Sequence, residues 1–116
     1  NNCMNLAAIS IGDRHITLDQ EGNLADLQDW SEEVACALAR EIHIELTSAH
    51  WEILFLIRDF HKKRGLSPVM RILVKLVERE LGPAKGNSLY LLRLFPGSPA
   101  KVAARLAGLP RPVNCL

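Results

Sequence analysis

Thr47-Ser48-Ala49-His50-Trp51-Glu52-Ile53-Leu54-Phe55-Leu56-Ile57-Arg58-Asp59-Phe60-His61-Lys62-Lys63-Arg64-Gly65 carries a complete set of helix signals. Thr47 or Ser48 is a cap. Trp51, Leu54, Phe55, Ile57 and Phe60 are the apolar content, with Arg58 among them, and the run His61 to Arg64 opposes the negative pole of the helix before Gly65 stops it. This segment defines the protein as mostly helical, and the same signals recur around it.

On the C-terminal side, Ser67-Pro68 is expected to open a further helix whose apolar positions are Val69, Ile72, Leu73, Leu76 and Val77, closed by Gly82-Pro83. A short helix over residues 87–94 precedes the break Pro96-Gly97-Ser98-Pro99, and a last helix covers residues 100–107. On the N-terminal side, Ser31 followed by Glu32 and Glu33 starts a helix carrying Val34, Ala35, Leu38, Ala39 and Ile42 on one face. Residues 9–27 read differently: short β-branched runs broken at Gly12-Asp13 and at Gln20-Glu21-Gly22-Asn23 predict a hairpin or three-strand meander. The expected fold is α+β and mostly α, with the meander or hairpin (9–27) on a body of about five helices (31–107) and an extended, mobile arm (108–116). Its 116 residues suffice for one domain and one core.

Charge is nearly balanced, with 14 Lys+Arg against 13 Asp+Glu and a formal net charge of +1, so non-specific phosphate binding is not the default. No window is apolar enough to span a membrane. Residues 1–11 lack the basic and apolar regions of a secretory leader, and the three cysteines, Cys3, Cys36 and Cys115, form no disulfide framework. The expected compartment is the reducing cytoplasm.

Cys115 is the most unusual placement. From Gly108 onward, Pro110 and Pro112 remove backbone donors, so neither a helix nor a central strand continues, and the thiol stands next to last in a Pro-stiffened arm. At ~3.1–3.6 Å per residue the arm spans roughly 20–25 Å, enough to enter another protein's cleft. Arg111 and Arg105 favour the nucleophilic thiolate, whereas a carboxylate on Leu116 opposes it. A tail with an incidental cysteine is the plainer alternative.

The ordered set Lys85-Gly86-Asn87-Ser88, Tyr90-Leu91, Leu94-Phe95-Pro96, Pro99-Ala100-Lys101 and Ala107-Gly108-Leu109-Pro110-Arg111-Pro112, with Cys115 next to last, resembles the TusE/DsrC family of sulfur-carrier proteins. Asp29-Trp30-Ser31-Glu32, His50-Trp51-Glu52, Arg58-Asp59-Phe60 and residues 71–75 extend the resemblance over residues 12–116. It implies a β-meander on a helical array and a mobile arm whose cysteine carries sulfur. The DsrC branch has a second arm cysteine eleven positions before the penultimate one; here that position is Ala104, so the chain resembles the TusE branch. That branch implies a sulfurtransferase taking persulfide sulfur from a complex resembling TusBCD. It implies delivery to a tRNA thiolase resembling MnmA, with or without bound tRNA, for wobble-uridine 2-thiolation. Ser98, where the family has Gly, is a tolerated turn change. Thiol exchange needs access and ionisation rather than a cofactor, and none is expected.

Other candidates are weaker. Cys36 lies within a helix beside Glu32, Arg40 and His43, as a surface thiol or a small packed side chain. His15, His43, His50 and His61 lack metal-ligand spacing, and His50 is expected to pack in a first helical turn. Arg71, Lys75 and Arg79 recur every four residues and, with Arg58, Lys62, Lys63 and Arg64, form either a solvated face or a docking surface. Arg71 and Lys75, with Arg111, are the candidate docking residues. Two other readings stay open: a DsrC-like partner of a sulfite reductase or other sulfur-oxidation protein, and a nucleic-acid module in which the helices flanking Gly65-Leu66-Ser67-Pro68 imitate a helix-turn-helix.

Overall fold

The computed structural model describes residues 7–113. Strands β1 (Ala7–Ile11) and β2 (Arg14–Leu18) pair antiparallel, with Ile9 opposite Ile16 and Ile11 opposite Arg14. Gly12 takes a φ of 60° at the first central position of the two-residue turn, which a side chain would disfavour. The second polar break makes no third strand. Leu24 instead forms a single bridge to Leu18, and Asp19 holds the return by accepting from the backbone of Glu21 and Asn23 at 2.9 Å. An Asx-type turn satisfies the backbone there, so the element is a hairpin.

Five helices follow: α1 (Glu32–Glu41), α2 (Ser48–Arg64), α3 (Met70–Leu81), α4 (Ser88–Leu94) and α5 (Pro99–Leu106). The Ser31 side chain caps α1 by accepting from the Val34 N–H, and Asn87 does the same for α4 through Tyr90. The helix expected to start at Ser67-Pro68 starts instead after Val69. Proline disfavours helical dihedrals at the residue before it, and the Ser67 hydroxyl is used elsewhere.

The helix at the centre is one of the shortest. α5 touches α1, α2, α3 and α4, because Ala100, Ala103 and Ala104 let its neighbours approach closely. Around it Val34, Leu38, Ile53, Leu54, Ile57, Leu73, Val77, Leu91 and Phe95 form the core, and Ile9, Ile16 and Leu18 attach the inner face of the hairpin. The segment bearing the arm is thus rooted in the middle of the molecule.

His50 is buried and does more than pack. Its Nδ1 accepts from the Thr47 N–H at 3.0 Å, in the place a glutamate takes in a capping box. With Nδ1 accepting, Nε2–H donates to the Leu94 carbonyl at 2.9 Å, with Phe95 edge-to-face at 5.3 Å. One ring joins the start of α2 to the end of α4. His50→Ala leaves both backbone groups unpaired and opens a cavity; a loss of about 2–4 kcal/mol is expected in urea unfolding.

Candidate functional site

The geometry surrounds the root of the arm. Where α5 ends, its last carbonyls point inward without helical partners. The Trp30 indole Nε1–H donates to Leu106 O at 3.0 Å, and Arg58 Nη1 donates to Ala107 O at 2.6 Å. The Arg58 guanidinium also stacks 3.8 Å above the Trp30 ring, a cation–π contact in which partial burial pulls its pKa below the ordinary value. Phe55 braces the assembly, edge-to-face with Trp30 at 6.3 Å and stacked on Trp51 at 5.7 Å. Gly108 then turns the chain with a φ of 72°, and a Cβ there would run into the Trp30 side chain. Neither constraint tolerates another residue.

The arm is expected from the sequence to be extended from Gly108 onward, with Leu109 and Val113 as the side chains able to dock it. In the structure its first residues lie against the body. Leu109 is buried and its N–H donates to Ala104 O at 2.9 Å. Ser67 Oγ donates to Pro110 O at 2.6 Å, Arg111 pairs with Glu21 of the hairpin return at 2.6 Å, and Pro112 is buried. The reason is that two apolar side chains, Leu109 and Pro112, and one carbonyl, that of Pro110, find better partners on the protein than in water. Val113 is exposed.

Cys115, the principal candidate, lies outside the described residues, as does Cys3. Covalent geometry alone keeps the Cys115 Cα within about 7 Å of the Val113 Cα. Arg111 sits at the arm root, in a cleft of about 280 Å³ shared with Lys101 and Arg105. Arg71 and Lys75 are exposed on α3, and the structure does not bring them beside Arg111: Lys75 lines a separate groove with Lys63, Arg64 and Arg79. Cys36 is a half-buried free thiol on α1. Ala104, at the second arm-cysteine position of the DsrC branch, is buried. Among the described residues no three metal-ligating side chains cluster, and no helix is long and apolar enough to cross a membrane.

From the sequence, Ser67 reads as a helix start, Glu21 as part of a turn, Trp30 and Arg58 as positions of the family resemblance and Arg58 as part of a basic face; none of them reads as a fastening of the arm. The signal for Arg58 was its spacing: it follows Leu54 by one helical turn, which puts a cation on an inward stripe. Nothing local marks Ser67 or Glu21, whose partners lie far along the chain.

Comparison with known proteins identifies the family. The family model described as DsrC like protein matches residues 10–116. A sulfurtransferase TusE homolog of Haemophilus influenzae is 46% identical over 93% of this chain and 99% of its own. Sulfurtransferase TusE of Photorhabdus laumondii is 47% identical over 89% of this chain and 93% of its own. Among solved structures, DsrC of Allochromatium vinosum superposes with a TM-score of 0.87 at 40% identity, covering 96% of this chain and 99% of that one. The oxidized γ-subunit of dissimilatory sulfite reductase (DsrC) from Archaeoglobus fulgidus gives 0.83 at 41% identity, covering 95% and 100%. The chain belongs to the DsrC-like family, TusE and its homologues included. It is a sulfurtransferase of the sulfur-relay type.

Two substitutions test the arm root. Gly108→Ala is expected to lower stability by roughly 2 kcal/mol in denaturant unfolding, because it combines left-handed strain with a clash. Arg58→Ala should speed amide exchange at Leu109, read by mass spectrometry, by unfastening the carbonyl two residues before it.

Proposed function

We propose that this sulfurtransferase acts as a persulfide carrier, loaded on Cys115, that hands sulfur to a tRNA-thiolating enzyme resembling MnmA for 2-thiolation of the wobble uridine. The observation that carries the reading is the arm root: α5 is held by the core, Trp30 and Arg58 fix its end, and Cys115 follows three residues beyond the buried Pro112. A fixed root only a few residues before the thiol suits a carrier that is read by other proteins.

The chemistry balances without a cofactor. The Cys115 thiolate attacks the outer sulfur of a donor persulfide, the donor's S–S bond breaks, and the donor cysteine leaves as thiolate. Cys115 then bears the persulfide, with no net oxidation. Passing that outer sulfur to an acceptor thiolate repeats the exchange. The proposed donor resembles TusBCD, and both exchanges belong in a reducing cytoplasm where an unpaired thiol persists. Ala104 supports this reading over a sulfite-reductase partner, since no second arm thiol is present to draw the sulfur into an intramolecular pair.

Incubation with a persulfide donor is expected to add about 32 Da, one sulfur, to the peptide containing Cys115. Cys115→Ser should abolish the adduct and Cys36→Ser should leave it intact. An adduct on Cys36 with Cys115 untouched overturns the assignment.

A further inference from the structure

α2 and α3, joined by residues 65–69, do not close over one another completely. A groove of about 640 Å³ runs between them. Its floor is apolar, formed by Leu56, Phe60, Ile72 and Leu76, of which all but Leu76 stay partly exposed. Its rim carries the cations Lys63, Arg64, Lys75 and Arg79 against the carboxylates Asp59 and Glu80. Both carboxylates already have partners: Lys63 reaches Asp59 and Arg79 reaches Glu80, each at 3.0 Å. Among the described residues Arg64 and Lys75 have no carboxylate partner, and Arg64 lies 5.8 Å from the centre of the Phe60 ring.

An apolar floor between two helices with surplus positive charge on its edges fits one kind of occupant. A third helix offers apolar side chains at every third and fourth position and can carry acids on its flanks. A phosphate backbone would meet the rim carboxylates and leave the floor unused. The groove is also placed for handover, because Asp59 lines both this groove and the cleft where Trp30, Arg58 and Leu109 meet. An occupant of the groove therefore sits one face of α2 away from the arm root.

We infer that the α2–α3 groove is the docking surface for an acidic amphipathic helix of the protein that exchanges sulfur with this chain. The identity of that partner rests on the carrier reading above; the groove itself does not. Lys75 belongs to this surface and Arg71 does not line it. A contact this small gives weak, fast, salt-sensitive association, as a relay requires.

The test measures binding without sulfur chemistry. The full chain carrying Cys115→Ser is titrated against a purified TusBCD-type donor complex by fluorescence anisotropy. Arg64→Glu with Lys75→Glu is compared with a control of the same charge change, Arg40→Glu with Arg93→Glu, folding being checked by circular dichroism. The groove pair is expected to weaken binding at least tenfold at about 50 mM salt, with the gap closing near about 0.5 M, while the control changes it less than twofold. Arg64→Gln with Lys75→Gln should fall between. Equal losses in both pairs, or no loss in the groove pair, overturn the proposal. A groove-pair loss confined to binding of total tRNA overturns it too, by making the groove an RNA surface. Polysulfide loading of native Cys115, measured separately, judges the carrier reading alone.

Discussion

The Arg58 guanidinium lies between the face of Trp30 and the carbonyl of Ala107, and this contact fixes where the arm begins. A helix that ends inside a protein presents carbonyls that water cannot reach, and leaving one unpaired costs about 1–3 kcal/mol. α5 ends this way because its small residues place it at the centre of the helical body. A neutral donor would satisfy the carbonyl. A cation does so while its positive charge is offset by the indole face, and an arginine keeps that charge through the physiological range. The same contact draws Trp30 over Gly108, which is why the turn there has no room for a side chain.

Much of this architecture was legible in the sequence because it is written in local signals. The helix start at Ser31, the αL-compatible Gly65 and the Gly12-Asp13 turn each act within a few residues and appear where the pattern puts them, while Asn87, read as the first helical residue, is the cap one position before the helix. The start of α3 was misplaced because Ser67 looks like a cap by type, whereas its hydroxyl belongs to Pro110, 43 positions away. The third strand failed for a related reason. Asp19 closes the return on itself, and a side-chain turn of that kind competes with strand pairing.

The site was legible in part. The sequence marks Cys115 by its place in a Pro-containing arm, but its sulfur-carrying role comes from the family resemblance, since composition alone also fits an incidental cysteine. The fastening of the arm was not legible, because it is made by residues from four separate places: Glu21, Trp30, Arg58 and Ser67. His50 illustrates the same limit. Its first-turn position was clear, but the bond to Leu94 crosses the core and has no sequence signature.

Under the proposed carrier role, the burial of Leu109 adds a cost to extending the arm. A partner whose reactive centre lies deep must lift Leu109 out, which exposes a leucine at a cost of about 1.5–3 kcal/mol, roughly ten- to a hundredfold in affinity. Such a partner recovers the loss only by offering the leucine a pocket of its own. Under the proposed carrier role, the seat of one side chain would favour partners with shallow active sites over deep ones that lack a matching recess.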